Sequence, residues 1–371
     1  MMTCEAWVRR AKELPFERTR IELDELRAGE VLVELTATGI CHMDVEAKDI
    51  VPLPAVFGHE GVGRVARVAS GVQDFAIGDR VVMTYAACGS CSHCRERAPY
   101  HCDDSWELTF SGRRGDGSAT ARENGEPISA AFFQQSSFAR YAITPARGLA
   151  RVAPSLKIDD TLLAAFPCGV LTGAGVVARQ FGFSGGEALA VFGVGAVGLS
   201  AIMAARKLGA RSIVAVDVRA ERLALAKELG ATHVINAAEE PDVVARLSHL
   251  FPRGLPFVLD TSGNANAFQS AMRSLATGGR MAVCILPAPM EDFQFKPFEL
   301  FKRAAALEAV SFGSAEAIRF VPEMISWYER GEFPVDRLVT VFPFSNLNEA
   351  IAASESGAVI KPVLDLRPQF Q

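Results

Sequence analysis

Leu189-Ala190-Val191-Phe192-Gly193-Val194-Gly195-Ala196-Val197-Gly198 decides how the second half of this chain is read. Four apolar residues suit a buried strand. G-x-G-x-x-G follows at once and opens a helix-like run from Gly198 to Leu208. The glycines permit a tight turn, close approach of backbone to a pyrophosphate, and close packing of helix on strand. The helix N-terminus, with its unpaired N–H groups, then faces the phosphates. The motif alone is a weak signal, and its place between strand and helix gives it weight. Ala188 to Ala205 is apolar and long enough to suggest a membrane span, but its glycines and alanines favour a strand, a turn and a buried helix.

Downstream, Ile213-Val214-Ala215-Val216 reads as the next strand and Arg222 to Leu229 as the next helix. Val258-Leu259-Asp260 and Met281-Ala282-Val283-Cys284-Ile285 continue the alternation, which predicts a Rossmann-type, doubly wound parallel sheet. Asp217 ends the second strand, about twenty residues past the glycines, where a carboxylate binds the ribose hydroxyls of NAD and repels the extra phosphate of NADP. The expectation is NAD. Arg219 and Arg222 lie close by, and read either as solvated charges at a helix start or as groups tolerant of NADP.

Upstream, the texture is different. Val31-Leu32-Val33-Glu34-Leu35 and Arg80-Val81-Val82-Met83 read as strands after turn signals, and no helical period persists. Gly112 to Gly125 reads as an exposed polar loop. Near the C-terminus, Val321 to Arg330 reads as a helix and Ile360 to Leu364 as a closing strand. The fold class is therefore α/β, a Rossmann sheet plus a β-rich domain. Residues 1–169, completed by 311–371, are expected to form the catalytic domain and 170–310 the coenzyme domain, with the active site in the cleft.

A chain of 371 residues fits about two domains. Net charge is only −5 and no block of like charge occurs, so neither nucleic acid nor an anionic membrane is expected as a partner. Met1 to Glu5 runs into Arg9-Arg10 without a long apolar stretch, so the expected location is the cytoplasm. There the eight cysteines stay reduced, and their spacing points to metal binding or catalysis. Cys88, Cys91, Cys94 and Cys102 form C-x2-C-x2-C-x7-C, four thiolates able to close a tetrahedral shell around a structural zinc. Cys41, His59 and Cys168, with Glu60 beside His59, are candidates for a Cys2His zinc site with an open fourth position. Such an ion lowers the pKa of a bound hydroxyl, as alcohol oxidation requires. Taken alone, these residues equally suit buried cysteines and a core histidine. Asp44 reads as an orienting partner of His59, as a helix N-cap, or as both.

Together these residues resemble the zinc-containing medium-chain dehydrogenases over nearly the whole chain. Within them, Val51-Pro52-Leu53-Pro54-Ala55-Val56-Phe57-Gly58-His59-Glu60-Gly61, Phe110 to Gly117, Phe132 to Phe138 and Ala350 to Gly357 resemble the bacterial aryl-alcohol branch. The resemblance implies a β-rich, GroES-like catalytic domain and two zinc ions per chain. It implies a catalytic zinc on Cys41, His59 and Cys168, approached by Glu60, and a structural zinc on Cys88, Cys91, Cys94 and Cys102. It places His42 and Lys361 on the cofactor pyrophosphate and Thr172 beside the nicotinamide. The implied reaction is reversible oxidation of a primary aromatic or allylic alcohol to its aldehyde, with hydride transfer to NAD, by a homodimer or homotetramer. A polyol, amino alcohol or glutathione adduct as substrate, or a non-catalytic NAD- and zinc-binding protein, are the alternatives. Met43 stands where many relatives carry a proton-passing hydroxyl, and Glu46 where some carry histidine, leaving water, a ribose hydroxyl or Glu46 for the proton. Met43 and Tyr85 are expected as pocket walls.

Overall fold

The computed structural model describes residues 2–284 and 295–367. The chain divides into two compact units, Met1–Cys168 with Glu316–Glu329 and Val335–Gln371, and Gly169–Ala315 with Arg330–Pro334. Residues 311–315 and 330–334 thus join the second unit, although the sequence suggested a single return to the first at residue 311.

The first unit holds two sheets. A hairpin of Met2–Arg9 and Phe16–Leu23 anchors one of five strands. In the other, of seven strands, Glu30–Gly39 pairs with Gly61–Val68 on one side and with Tyr141–Pro145 and Lys361–Asp365 on the other. Valines and leucines alternate along Glu30–Gly39 and bury its length. Phe16, Phe57, Phe132 and Phe138 pack edge-to-face near the hairpin, with centroids 5.1–5.9 Å apart. The Gly112–Gly125 stretch is exposed only in part. Arg114 is 8 % exposed, with ion pairs to Glu30 at 2.7 Å and Asp24 at 2.9 Å, and Ala121–Glu123 is a strand. A buried guanidinium needs such partners, and the glycine-rich composition around it hid them.

The second unit is a six-stranded parallel sheet with helices between successive strands. Ala188–Phe192 lies at its centre, beside Ser212–Asp217 and Leu255–Asp260. The run Ala188 to Ala205 resolves into that strand, the glycine turn and the helix Ala196–Lys207. No helix among the described residues is long and apolar enough to cross a membrane. Helices start and stop where side chains dictate. Asp242 and Asn264 accept backbone N–H bonds as N-caps, and Gly230 at φ 134 ends Ala220–Leu229. Ile285, expected at the end of a strand, lies outside the described residues; the strand there is Leu275–Val283.

Leu171–Gly175 crosses Ala196–Lys207 so closely that a Cβ on Gly173 would stand 2.0 Å from the Val197 carbonyl oxygen. Backbone cannot yield as a flexible side chain can. Gly173→Ala is therefore expected to cost about 2 kcal/mol or more, read as a lower unfolding midpoint by calorimetry. An unchanged midpoint would mean that this crossing is looser than described.

Candidate metal and cofactor sites

Cys41 follows the buried strand Glu30–Gly39 and is the N-cap of the short helix His42–Glu46. Asp44 is the third residue of that helix, not its N-cap. From there its carboxylate reaches back to accept the Cys41 N–H at 2.8 Å, the reciprocal half of a capping box. Its other oxygen accepts the Gly58 N–H at 3.0 Å and meets His59 Nδ1 at 2.8 Å. The carboxylate is wholly buried, so those N–H groups replace its hydration. They leave His59 Nε2 as the free ring nitrogen, 3.3 Å from Cys168 Sγ. Cys168, 127 positions away in sequence, brings its sulfur to 3.8 Å from that of Cys41.

Donor atoms of Cys41, His59, Glu60 and Cys168 all lie within 4.8 Å of one another. A tetrahedral zinc with Zn–S bonds of about 2.3 Å separates its sulfurs by about 3.8 Å, so the donor set fits that ion. Two thiols and the free Nε2 of an imidazole, facing one another, are a chemically plain metal cradle. The Cys168 thiol, with His59, outweighs burial, which opposes charge, and the Cys41 thiol is held well below the usual range. Burial opposes charge on His59, but Asp44 outweighs it and lifts the imidazole to about 10, so a metal arriving at Nε2 displaces a proton.

Glu60 sits behind this cluster. Burial pushes its carboxyl up to about 7 against the pull of Lys361. Glu60 Oε1 is buried without a hydrogen-bond partner among the described residues, and Oε2 pairs with the Lys361 ammonium. Lys361 is 2 % exposed, and it also donates to the Ile40 carbonyl at 3.2 Å. This buried pair engages the ammonium inside the fold. His42 is an exposed side chain, 3.4 Å from Glu46. Met43 is half-buried, and Tyr85 is buried with its hydroxyl on the backbone of Ala317.

The sequence reading missed an aromatic layer on His59. Phe133 stacks on its ring at 4.3 Å and 19°, and Phe132 meets it edge-on at 5.5 Å. Phe110 lies 6.1 Å from Phe133, and Trp106 lies 4.6 Å from Phe110. This layer is carried on a strained backbone, with φ of 53° at Phe133, 56° at Gln134 and 51° at Ser136. Ser136 Oγ holds it by donating to the Val56 carbonyl at 2.6 Å, and Gln135 by bonding Gly61 N and the Thr84 carbonyl. Phe-Phe-Gln-Gln was visible in the sequence, but nothing there announces left-handed residues without glycine or asparagine.

Cys88, Cys91, Cys94 and Cys102 also bring their sulfurs within 4.8 Å, those of Cys88 and Cys94 being 3.9 Å apart. Backbone N–H groups of Ser90 and Cys91 point at Cys88 Sγ, and that of Cys88 at Cys102 Sγ. Such bonds favour thiolates, so this donor set too fits a tetrahedral ion.

In the second unit, Gly193 takes φ 82, and a Cβ there would stand 2.9 Å from the Ser262 backbone. A Cβ on Gly198 would stand 2.0 Å from the Gly193 oxygen, whereas one on Gly195 would meet nothing within 4 Å. That bare backbone beside a helix N-terminus fits a pyrophosphate. Asp217 accepts from Val194 N at 2.7 Å and Arg219 N at 3.0 Å, bracing the turn from the end of its strand. Arg222 Nε is buried without a partner among the described residues. Thr172 is 9 % exposed, on the helix Leu171–Gly175.

Residues 27–154 match the family described as alcohol dehydrogenase GroES-like domain, and residues 196–330 match that described as zinc-binding dehydrogenase. The chain is 37 % identical to the geraniol dehydrogenase of Castellaniella defragrans, over 95 % of this chain and 94 % of that one. It superposes on the benzyl alcohol dehydrogenase of Acinetobacter calcoaceticus with a TM-score of 0.94 at 34 % identity, covering 99 % of this chain and 100 % of the other. An alcohol dehydrogenase zinc-binding domain protein from Burkholderia ambifaria also gives 0.94, at 38 % identity, covering 99 % of each. The chain belongs to the zinc-dependent medium-chain alcohol dehydrogenases, NAD-linked oxidoreductases acting on small alcohols.

Two substitutions test these sites. Asp44→Asn keeps the size but turns one acceptor into a donor, and is expected to weaken zinc retention roughly 10- to 100-fold in competition with a chelator. Retention equal to wild type would contradict the orienting role of Asp44. Gly195→Ala is expected to leave the unfolding midpoint unchanged while weakening NADH binding at least about tenfold, measured by fluorescence titration. Tight NADH binding by that variant would place the phosphates elsewhere.

Proposed function

We propose that this enzyme oxidises primary aromatic or allylic alcohols, reversibly, to their aldehydes, with the hydride passing to NAD. The observation that carries this reading is the Phe133 ring lying 4.3 Å over His59, flanked by Phe132 and Phe110. An apolar aromatic layer beside a metal ligand suits a planar, unsaturated substrate and leaves a polyol or amino alcohol with unpaired hydroxyls. The names of the geraniol and benzyl alcohol relatives agree with that class.

We further assign Cys41, His59 and Cys168 as ligands of a catalytic zinc, with Glu60 as a neighbouring carboxylate, and Cys88, Cys91, Cys94 and Cys102 as ligands of a structural one. The catalytic ion supplies a Lewis acid that lowers the pKa of the substrate hydroxyl. The chain's own groups do the positioning. Asp44 fixes the ring of His59 and the backbone of Cys41. Phe133 excludes water from one face of the imidazole, which strengthens electrostatic interactions there. Gly193, Gly195, Gly198 and Asp217 hold the dinucleotide. In the reaction the alcohol loses one proton and one hydride; the hydride reduces NAD, and the proton leaves to solvent. Met43 has no hydroxyl to pass it on. A cytoplasmic homo-oligomer is the expected form of the enzyme.

Purified protein with NAD is expected to form NADH from benzyl alcohol and geraniol, to stop when zinc is chelated, and to recover when zinc is restored. Phe133→Ala is expected to raise KM for benzyl alcohol roughly 2- to 10-fold, the worth of one aromatic contact. Faster turnover of sorbitol or threonine than of either alcohol would overturn the substrate assignment. Zinc binding and NAD binding without turnover of any alcohol would make the protein a non-catalytic relative.

A further inference from the structure

We propose that Arg147 is a positioning residue for the four-cysteine lobe, a fixed cation that offsets the negative charge of Cys88, Cys91, Cys94 and Cys102 around an ion. The inference rests on the assignment of a structural zinc to those four residues. Thiolates closing a shell around a divalent ion leave a net negative charge, which backbone N–H groups offset only in part. The basic groups on the lobe's own segment are committed elsewhere. Arg97 pairs with Glu316 at 2.9 Å, His93 lies 3.6 Å from Asp103, and Arg95 donates to the Ser90 carbonyl.

Arg147 comes from outside the lobe. It lies in the short turn Ala146–Gly148, directly after the strand Tyr141–Pro145, so the sheet sets its place rather than the ion. Two contacts dock it. Its Nε donates at 2.7 Å to the carbonyl of Ala87, the residue before the first cysteine. Its Cδ lies over Gly89, where a Cβ would stand 2.9 Å away, so the glycine gives the stem room. Partial enclosure pulls the guanidinium below its usual range, and the thiols of Cys88, Cys94 and Cys102 act on it in the opposite sense. Glu30 acts in that sense too, but it is already matched by Arg114 at 2.7 Å. A guanidinium stays charged at any working pH, and its field acts without a bond to sulfur. A cation held there by the sheet lowers the cost of gathering thiolates before an ion arrives.

The test mixes zinc-loaded enzyme with excess chelator and an alkylating reagent. Modification of Cys88, Cys91, Cys94 and Cys102 is followed by mass spectrometry, with Cys41 and Cys168 as the internal comparison. Arg147→Met keeps the stem without the charge. It is expected to release the four thiols roughly three- to tenfold faster at low ionic strength, with Cys41 and Cys168 unchanged. In about 1 M salt that difference is expected to shrink to less than about twofold. Arg147→Lys keeps the charge and is expected to stay close to wild type. Arg147→Gln can still donate to the Ala87 carbonyl, and is expected to behave as Arg147→Met does. Wild-type protection in Arg147→Met, a difference that salt leaves unchanged, or rescue by Arg147→Gln but not by Arg147→Lys would overturn the proposal. Four thiols that react in the wild type without any zinc-dependent protection would overturn the zinc assignment itself, and this inference with it. If Arg147→Met fails to fold, the comparison of Arg147→Lys with Arg147→Gln decides.

Discussion

One buried carboxylate organises the site. Asp44 is fully enclosed, and both oxygens are spent on groups from separate places in the chain: the N–H of Cys41, the N–H of Gly58 and the ring of His59. An isolated carboxylate in such a place would cost many kcal/mol, so the fold must deliver these partners together or not at all. That requirement joins the end of the strand Glu30–Gly39 to the Phe57-Gly58-His59 turn. It sets which nitrogen of His59 is free, and so where a metal can sit. Chemistry at the cluster follows from this constraint as much as from the ligands themselves.

A second constraint closes the site from behind. A Cβ on Gly39 would stand 2.0 Å from Glu60 Oε2, so glycine is what lets the carboxylate lie against that strand. Its partner Lys361 begins the strand Lys361–Asp365, whose Val363 pairs with Gly39. The C-terminal return of the chain is thus part of the site's electrostatics. Breaking the pair by removing one member would leave a buried charge uncompensated. On the ring of His59, strain replaces charge. Three non-glycine residues in the left-handed region carry Phe133 onto His59, at a cost that hydrogen bonds from Ser136 and Gln135 offset.

Much of this was legible beforehand, for definable reasons. The parallel sheet was readable because strand and helix alternate with clear period, and the four-cysteine lobe because its ligands are local in sequence. Zinc, NAD and the family followed from motifs whose residue types are dictated by chemistry. What was not legible depends on distance or on backbone. The N-terminal hairpin alternates charged and apolar residues too irregularly to stand out. No spacing rule places Cys168 against Cys41 across 127 positions. The sequence reports the charge of Lys361 but not its 2 % exposure or its pairing with Glu60. Asp44 was readable as the orienting partner of His59, but its alternative reading as an N-cap fails because one position along a helix decides whether a carboxylate caps or reaches back.

The central claim is that Cys41, His59 and Cys168 hold one metal while the four-cysteine lobe holds another. X-ray absorption at the zinc edge, with metal content measured on the same sample, tests it most directly. The account predicts two zinc ions per chain and an average shell of about three sulfurs near 2.3 Å, the remaining ligands being nitrogen or oxygen near 2.0–2.1 Å. One zinc per chain with an all-sulfur shell would show that the Asp44-braced cluster does not hold the ion, and would contradict the account.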